Sequence, residues 1–461
     1  LMGMLHMTWQ PSLLKLSKRK HGAPPLGLRN LGNTCYLNSV LQCLTYTPPL
    51  ANLCLQYFHS SICDSGPGKD KKGDCPFCIL ERRIARSLSI EAVCDAPSKI
   101  NGCLRIYAEH FRSGRQEDAH EFLRYVIDAC HNTCLRLKKL QQQQRGKNEI
   151  SSNGDASGTG QTVVKEIFGG SLQSKVKCLS CGVESNKIDE IMDISLDIVH
   201  SSSLREALQM FFQPEILEGN NKYKCENCKE LVAARKQMTL FQAPNVLVIQ
   251  LKRFEGIYGS KIDKPIAFDD ELMLSSYMCK DGLDQHPEYH LCGTIVHSGF
   301  SPDSGHYYAY IKDTLGRWFR CNDSYVSVST LQEVLSERVY ILFFSRTKQR
   351  PQGRMGVVPN GLISPESNDS RASVKKSVSL DKSATTGQQV HEPKAIMIAN
   401  GTRLLPEKAG LSDKTGDLKM SSKSSNSYIS ANVLKSSGTK PLMIDRFTGL
   451  EIPIRSNGDI L

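Results

Sequence analysis

The fold is decided by the stretch GLRNLGNTCYLN, residues 27–38, in which a Gly- and Asn-rich turn leads into an apolar pattern. The pattern recurs at helical spacing in Leu37, Val40, Leu41 and Leu44. It predicts a helix that begins at Cys35. Because the N–H groups and dipole at a helix N-terminus favour a thiolate over a thiol, Cys35 is a candidate nucleophile. The alternative is a small apolar residue near a helix cap. The amide of Asn30 is a candidate donor to an oxyanion.

A cysteine nucleophile requires a histidine that is oriented by an Asn or Asp side chain. His306 follows the polar loop SPDSG, residues 301–305, and begins a strand pattern. The next strand pattern, WFRCNDS at residues 318–324, ends with Asn322 and Asp323 side by side. Adjacent strand residues point to opposite faces, so only one of the two readily orients the imidazole. The residues themselves do not choose between them.

The chain divides by pattern into a helical part and a strand-rich part. Helical spacing dominates before a low-complexity insertion at about 139–161, and strand patterns dominate after it. This order predicts an α+β fold. Residues 347–461 contain only Tyr428 and Phe447 as aromatics, so we expect a disordered tail, with short binding motifs near its end as the alternative.

Composition excludes several functional classes. No apolar stretch approaches the roughly 20 residues of a membrane span, and the N-terminus has no secretory signal pattern, so we expect a cytoplasmic and/or nuclear protein without membrane contact.

The net charge of +11 belongs to the ends, residues 1–27 and 347–461, and residues 28–346 are neutral. Direct nucleic-acid binding by that neutral segment is therefore not expected. We expect residues 1–26 to be a flexible basic leader, in which KLSKRK, residues 15–20, is a candidate import patch.

The chain has 17 cysteines, and in a reducing compartment paired spacings indicate metal binding or catalysis rather than disulfides. Two Cys-x2-Cys pairs predict a closed structural zinc site: Cys178, Cys181, Cys225 and Cys228. A second, weaker set could clip a Gly- and Lys-rich loop with another zinc: His59, Cys63, Cys75 and Cys78. Cys54 could take the place of His59 in that set.

Five sequence boxes, in this order, resemble the ubiquitin-specific protease family of cysteine deubiquitinases, and in particular its plant members. They are residues 27–44, QEDAHEF at 116–122, LKRF at 251–254, GHY at 305–307 and WFRCNDS at 318–324. The resemblance covers about residues 27–346. It implies a papain-like catalytic domain with a helical thumb (about 27–138), zinc-bearing fingers (about 165–240) and a β-rich palm (about 241–346).

The resemblance also implies roles for individual residues. It makes Cys35 the nucleophile, His306 the general base and later acid, and Asn322 the third member of the triad. Asn30 matches the amide that helps to bind the oxyanion, and Asp323 matches an acid that supports or replaces Asn322. The implied reaction is hydrolysis of isopeptide or peptide bonds at the C-terminal Gly of ubiquitin through a thioester on Cys35.

The implied partners are ubiquitin and ubiquitinated proteins. Gln116 and Asp118 match the family segment along the path of ubiquitin's basic C-terminal tail, with Asp118 as the cation partner. Ordinary helix capping is the alternative for Asp118. Two other functions stay open, a ubiquitin-binding scaffold without turnover and a zinc-dependent binding module. No organic cofactor is implied.

Overall fold

The computed structural model describes residues 22–63, 75–145, 161–254, 260–280, 282, 284–301 and 304–350, and the backbone of 442–444 and 451–453. The candidate import patch at 15–20, residues 146–160 of the low-complexity insertion and nearly all of the predicted tail lie outside these residues. Within the described residues, no helix combines the length and the apolar character that a membrane crossing requires.

Helices dominate the N-terminal part, which we call the thumb. They are α1 (Cys35–Thr45), α2 (Pro48–Leu55), α3 (Phe58–Cys63), α4 (Pro76–Ser89), α5 (Ser98–Gly102) and α6 (Ala119–Arg145), with a short parallel pair of strands, β1 (Gly27–Leu28) and β2 (Cys94–Asp95). Helix α6 continues to Arg145, past the thumb boundary predicted at about residue 138.

Helix α1 is buried along its entire length between the thumb and the large sheet. Two of its side-chain amides donate to nearby backbone: Gln42 Nε2 donates to Leu26 O at 2.7 Å, and Asn38 Nδ2 donates to Leu28 O at 3.2 Å. Burying these amides without partners would destabilise the fold. The two bonds therefore hold the chain that precedes Cys35 against the helix that begins there.

The palm is an eight-stranded sheet with the order β15-β14-β13-β12-β16-β10-β5, in which β11 pairs with β12. Its strands are β5 (Ile194–Leu196), β10 (Val246–Leu251), β11 (Glu271–Met273), β12 (Glu288–Ser301), β13 (Ser304–Lys312), β14 (Trp318–Asn322), β15 (Tyr325–Ser329) and β16 (Val339–Arg346). Val248 of β10 packs into the core shared with the thumb, whereas Leu247 and Ile249 pack into a second core on the other face. Burial on both faces explains why β10 reads as a continuous apolar run.

A second sheet, which we call the fingers, has the order β4-β3-β9-β6. It is formed by β3 (Gly170–Cys178), β4 (Glu184–Ile191), β6 (Glu215–Leu217) and β9 (Ala234–Gln242), and the small pair β7 (Tyr223–Lys224) and β8 (Leu231–Val232) lies near its tip. The remaining helices are α7 (Val163–Phe168), α8 (Leu204–Phe212) and α9 (Leu331–Leu335), and a further pair of strands is β17 (Leu442–Ile444) with β18 (Glu451–Pro453). The predicted α+β class is confirmed, because helices fill the thumb and antiparallel strands fill the palm and fingers.

Candidate active site and metal centres

The loop before α1 is closed by side-chain hydrogen bonds. Asn30 Oδ1 accepts from the backbone N–H of Gly32 at 3.0 Å and of Thr34 at 3.2 Å, and Thr34 Oγ1 accepts from Leu31 N at 2.9 Å. Gly32 has φ of 96°, a left-handed conformation that glycine adopts without strain. The loop therefore turns sharply and delivers Cys35 to the first turn of the helix, as the sequence predicted for the helix start.

His306 lies near the start of β13, and Asn322 lies at the end of the neighbouring β14. His306 Nε2 is 2.6 Å from Asn322 Oδ1, which leaves Nδ1 to face Cys35. A hydrogen bond with the Cys35 sulfur is the largest cause that raises the pKa of His306 to about 9, and the bond with Asn322 adds to it. The raised pKa favours an imidazolium beside the sulfur. The structure thus brings together the three residues Cys35, His306 and Asn322.

Asp323 makes different contacts from its neighbour Asn322. Its φ of 50° turns the side chain away from β14, and its carboxylate accepts from Asn30 Nδ2 at 3.0 Å and from Asn38 Nδ2 at 2.8 Å. Its carbonyl accepts from Leu28 N at 2.8 Å. Asn322, not Asp323, is hydrogen-bonded to the imidazole. Asp323 instead ties the Asn30 loop to the end of the palm strand, and its charge is a further cause that raises the pKa of His306.

The approach of β1 to this turn explains a glycine in the opening motif. A Cβ on Gly27 would lie 2.4 Å from the carbonyl oxygen of Ser324, closer than any real contact. A side chain at position 27 would push the turn at Asp323 away from Asn30 and Asn38. The glycine therefore matters for the site because of close backbone packing.

The segment before α6 borders an open cleft of about 540 Å³ between thumb and palm. Gln116 Nε2 donates to Gly305 O at 2.7 Å, directly beside His306. Asp118 Oδ1 accepts from the N–H groups of His120 and Glu121 at 2.7 and 2.9 Å, which is a helix cap. Asp118 also lines the cleft, so capping and exposure to a ligand coexist in this residue.

The cleft is predominantly acidic. Its carboxylates are Glu117, Asp118, Glu121 and Asp128, and its cationic side chains are Arg124 and Lys252. Burial raises the pKa of Glu121, although His110 at 3.2 Å opposes the shift. Burial also raises the pKa of Asp128. A partly desolvated acidic cleft that leads to the cysteine suits a positively charged extended segment.

The four finger cysteines converge into one cluster. Their sulfur atoms lie within 4.8 Å of one another, with Cys178 to Cys228 at 3.8 Å and Cys181 to Cys225 at 3.6 Å. In each pair the N–H of the second cysteine donates to the sulfur of the first, at 3.4 and 3.5 Å. The N–H of Val183 is the largest cause that lowers the pKa of Cys181 to about 6. Four converging sulfurs, two of which belong to thiols with lowered pKa values, Cys178 and Cys181, fit a closed tetrahedral zinc site.

The thumb contains the second cluster, which joins α3 to the start of α4. The ligand atoms of His59, Cys63, Cys75 and Cys78 lie within 4.8 Å of one another. His59 Nε2 is 3.2 Å from Cys75 Sγ, and Cys78 N donates to the same sulfur at 3.5 Å, as in the finger pairs. The Cys78 thiol is the largest cause that lowers the pKa of Cys75 to about 3. Cys54 is fully buried outside this set, so His59 occupies the fourth position.

Sequence reasoning missed a polar network below the cleft. His120 is buried, and its Nε2 is 2.7 Å from Asp193 Oδ2. Ser195 Oγ donates to Gln250 Oε1 at 2.7 Å, and Gln250 Nε2 donates to Tyr340 OH at 2.9 Å. The one available signal was Gln250, a lone polar residue within the otherwise apolar run VLVIQL of β10.

Comparison with known proteins places these features in context. The profile of the family described as ubiquitin carboxyl-terminal hydrolase matches residues 26–344. Ubiquitin carboxyl-terminal hydrolase 25 of Arabidopsis thaliana is 66% identical over 365 residues, which are 79% of this chain and 53% of the relative. Ubiquitin carboxyl-terminal hydrolase 42 of Homo sapiens is 38% identical over 406 residues, 88% of this chain and 28% of the relative. The chain thus spans about half, or less, of the length of these relatives.

Solved structures agree with the sequence relatives. The SAGA Ubp8/Sgf11/Sus1/Sgf73 DUB module bound to ubiquitin aldehyde contains a chain that is 27% identical, with a TM-score of 0.57, over 76% of this chain and 74% of that one. A variant of the same module bound to monoubiquitin gives a TM-score of 0.58 at the same identity and coverage. Both matches agree with the papain-like architecture that the sequence boxes implied.

Proposed function

This chain belongs to the ubiquitin carboxyl-terminal hydrolase family, and from that premise we propose that it is a thiol-dependent deubiquitinase of the plant type. It hydrolyses the isopeptide or peptide bond at the C-terminal Gly of ubiquitin, and its partners are ubiquitin and ubiquitinated proteins. The observation that carries the proposal is the contact of His306 with Asn322 at 2.6 Å on one side and with Cys35 at a helix N-terminus on the other.

The reaction follows from these three residues. The Cys35 thiolate attacks the carbonyl carbon of the terminal Gly, and the imidazolium of His306 gives its proton to the leaving amine as the C–N bond breaks. A water molecule then loses a proton to His306 and attacks the thioester. The C–S bond breaks, the product leaves as the carboxylic acid and loses its proton to solvent, and the thiolate–imidazolium pair is restored.

The oxyanion formed in each half-reaction requires donors. The side chain of Asn30 supports this role, because its Oδ1 is fixed by two backbone N–H groups and its Nδ2 therefore faces outward. One Nδ2 proton bonds to Asp323 at 3.0 Å, and the other is free for the substrate oxygen. We propose Asp323 as a positioning residue for Asn30.

The acidic cleft is proposed as the path of ubiquitin's basic C-terminal tail. Asp118 is the proposed cation partner, and it lines the cleft together with three other carboxylates. Gln116 holds the strand of His306 through Gly305. Charge complementarity on this path orients the tail so that its last Gly reaches Cys35.

Both cysteine clusters are proposed as structural zinc sites. Each has four soft or borderline ligand atoms within 4.8 Å, and backbone N–H groups stabilise the thiolates. Neither takes part in the reaction. The finger site, which holds together the two loops at the tip of the fingers, involves Cys178, Cys181, Cys225 and Cys228, and the thumb site fixes α3 against α4.

The deciding experiment is labelling with ubiquitin that bears a thiol-reactive group at its C-terminus, applied to the full chain and to Cys35→Ser. The wild type should form a one-to-one adduct and Cys35→Ser should form none. Cys321→Ser is the matched control, because Cys321 lies next to Asn322 and burial raises the pKa of its thiol. This variant should form the adduct like the wild type.

A second assay separates turnover from binding. The wild type should release the fluorophore from a ubiquitin C-terminal amide, whereas His306→Ala should bind ubiquitin and release nothing. Binding without turnover by the wild type would instead identify a ubiquitin-binding scaffold. An adduct that forms equally well on Cys35→Ser would refute the assignment of the nucleophile.

A further inference from the structure

The segment that leads into α6, together with the first turn of that helix, is joined to the palm through alternate residues. Gln116 contacts Gly305, Asp118 contacts Tyr340 and His120 contacts Asp193, each at 2.7 Å. These contacts involve β13, β16 and the segment before β5, so they cross the floor of the cleft. The first belongs to the surroundings of His306, and the other two have no role in the reaction as described above.

The contact at Asp118 continues into the sheet as a one-way chain of donors. Ser195 Oγ donates to Gln250 Oε1 at 2.7 Å, Gln250 Nε2 donates to Tyr340 OH at 2.9 Å, and Tyr340 OH donates to Asp118 Oδ2 at 2.7 Å. Ser195 and Gln250 are register partners on β5 and β10, and Tyr340 follows on β16. Hydrogen bonds that all point the same way polarise one another, which strengthens the last bond.

We propose that this donor chain positions the Asp118 carboxylate for the cationic tail of the substrate, so that Tyr340 and Gln250 determine specificity although neither is a catalytic residue. The inference rests on the proposed function and assigns residues to the recognition step of that same site. Two helix N–H groups hold Oδ1 of Asp118, and Tyr340 OH holds Oδ2. Without the hydroxyl, Oδ2 loses its donor and the carboxylate is free to rotate away from the cleft.

The contact between His120 and Asp193 fixes helix α6, which Asp118 caps. Asp193 is partly buried, its Oδ2 lies 2.7 Å from His120 Nε2, and its Oδ1 lies 3.9 Å from Arg124 Nε on the next turn of α6. Two points of attachment, one turn apart on the same helix, prevent the start of α6 from sliding along the sheet. The backbone of Asp118 is therefore fixed by His120, and its carboxylate is oriented by Tyr340.

Tyr340→Phe in the full chain removes one hydroxyl from a side chain that is 1% exposed and leaves the packing intact. Tyr310→Phe is the matched control, because Tyr310 is 3% exposed and donates to Glu337 at the same distance of 2.7 Å, away from the cleft. Each is assayed with two fluorogenic ubiquitin conjugates, one with the natural tail and one in which the basic residues of the tail are replaced by glutamine.

For the natural tail, Tyr340→Phe should raise KM about tenfold and change kcat less than about twofold, since it weakens an interaction made before the chemical step. For the neutral tail it should leave KM unchanged. Tyr310→Phe should leave both values unchanged. Gln250→Met removes the donor to Tyr340 and should raise KM about threefold for the natural tail and leave KM for the neutral tail unchanged. This variant decides the role of the donor chain if Tyr340→Phe lowers the melting temperature.

An equal loss with both tails in both variants, or a fall in kcat alone, would mean that the hydroxyl has only a structural role and would overturn the inference. The same comparison can be made without turnover. In the Cys35→Ser background, the affinity of each variant is measured for free ubiquitin with the natural tail and with the neutral tail. A wild type that cleaves neither conjugate would refute the proposed deubiquitinase activity, while the affinities would still decide the role of Tyr340.

Discussion

The turn at Asp323 offers a sharp test of how the oxyanion donor is held. Asp323→Gly removes the carboxylate and keeps the backbone, because glycine adopts the φ of 50° at this position without strain. Asn38 keeps its bonds to the carbonyls of Leu28 and Arg29 at 3.2 and 3.3 Å. Asn30 Nδ2, in contrast, loses the carboxylate at 3.0 Å that orients it. The variant therefore acts mainly on Asn30.

The magnitude follows from the bond that is lost. A hydrogen bond to a charged group is worth about 1.5–3 kcal/mol, and the lower end applies because the Asn30–Asp323 contact is exposed to solvent. About 1.4 kcal/mol corresponds to a factor of ten in rate. We therefore expect kcat to fall about tenfold with little change in KM, well short of the roughly 10²–10³ lost when an oxyanion donor is removed outright.

The assay is hydrolysis of a fluorogenic ubiquitin C-terminal amide by wild type, Asp323→Gly, Asn30→Ala and the double variant. If Asp323 acts through Asn30, the second substitution adds little to Asn30→Ala. Asp313→Gly, in the turn at the opposite end of β13 and β14, is the control and should retain wild-type kcat. Full additivity would refute the reasoning, because Asp323 would then act independently of Asn30.

Three other predictions concern metal, stability and pH. Metal analysis of the purified chain should give two zinc ions, and Cys225→Ser and Cys75→Ser should each lose one; a folded wild type without zinc would contradict both sites. Glu81→Ala should lower the free energy of unfolding by about 2–4 kcal/mol in urea titrations, since the N–H groups of His59 and Ser60 lose their buried acceptor at 2.7 and 2.8 Å; a change below about 0.5 kcal/mol would exclude this. Because the Cys35 sulfur raises the pKa of His306 from 6.5 to about 9, the resulting stabilisation is fully present below 6.5 and is lost as the pH rises through 9. The difference in unfolding free energy between wild type and Cys35→Ser should shrink over that range, and a constant difference would contradict the ion pair.

Helices α1 and α6 and strand β10 show where a local apolar pattern predicts secondary structure and where it does not. Helix α1 was predicted because its apolar residues recur at helical spacing, and the structure buries it along its length. Strand β10 is instead a continuous apolar run, which fits a strand that is buried on both faces. The end of α6 has no such signal, since this polar helix continues into a Gln-rich stretch.

The sequence alone determined the α+β class, the family resemblance, the nucleophile and histidine candidates, and the grouping of the two sets of metal ligands. Each of these is recorded in short contiguous patterns or in the order of a few boxes. The tertiary structure decided that His59 rather than Cys54 joins the thumb cluster, that Asp323 contacts Asn30, and that Tyr340 holds Asp118. The last two contacts join residues 293 and 222 positions apart, and hydrogen bonds depend on distance and direction in space, which no local pattern records.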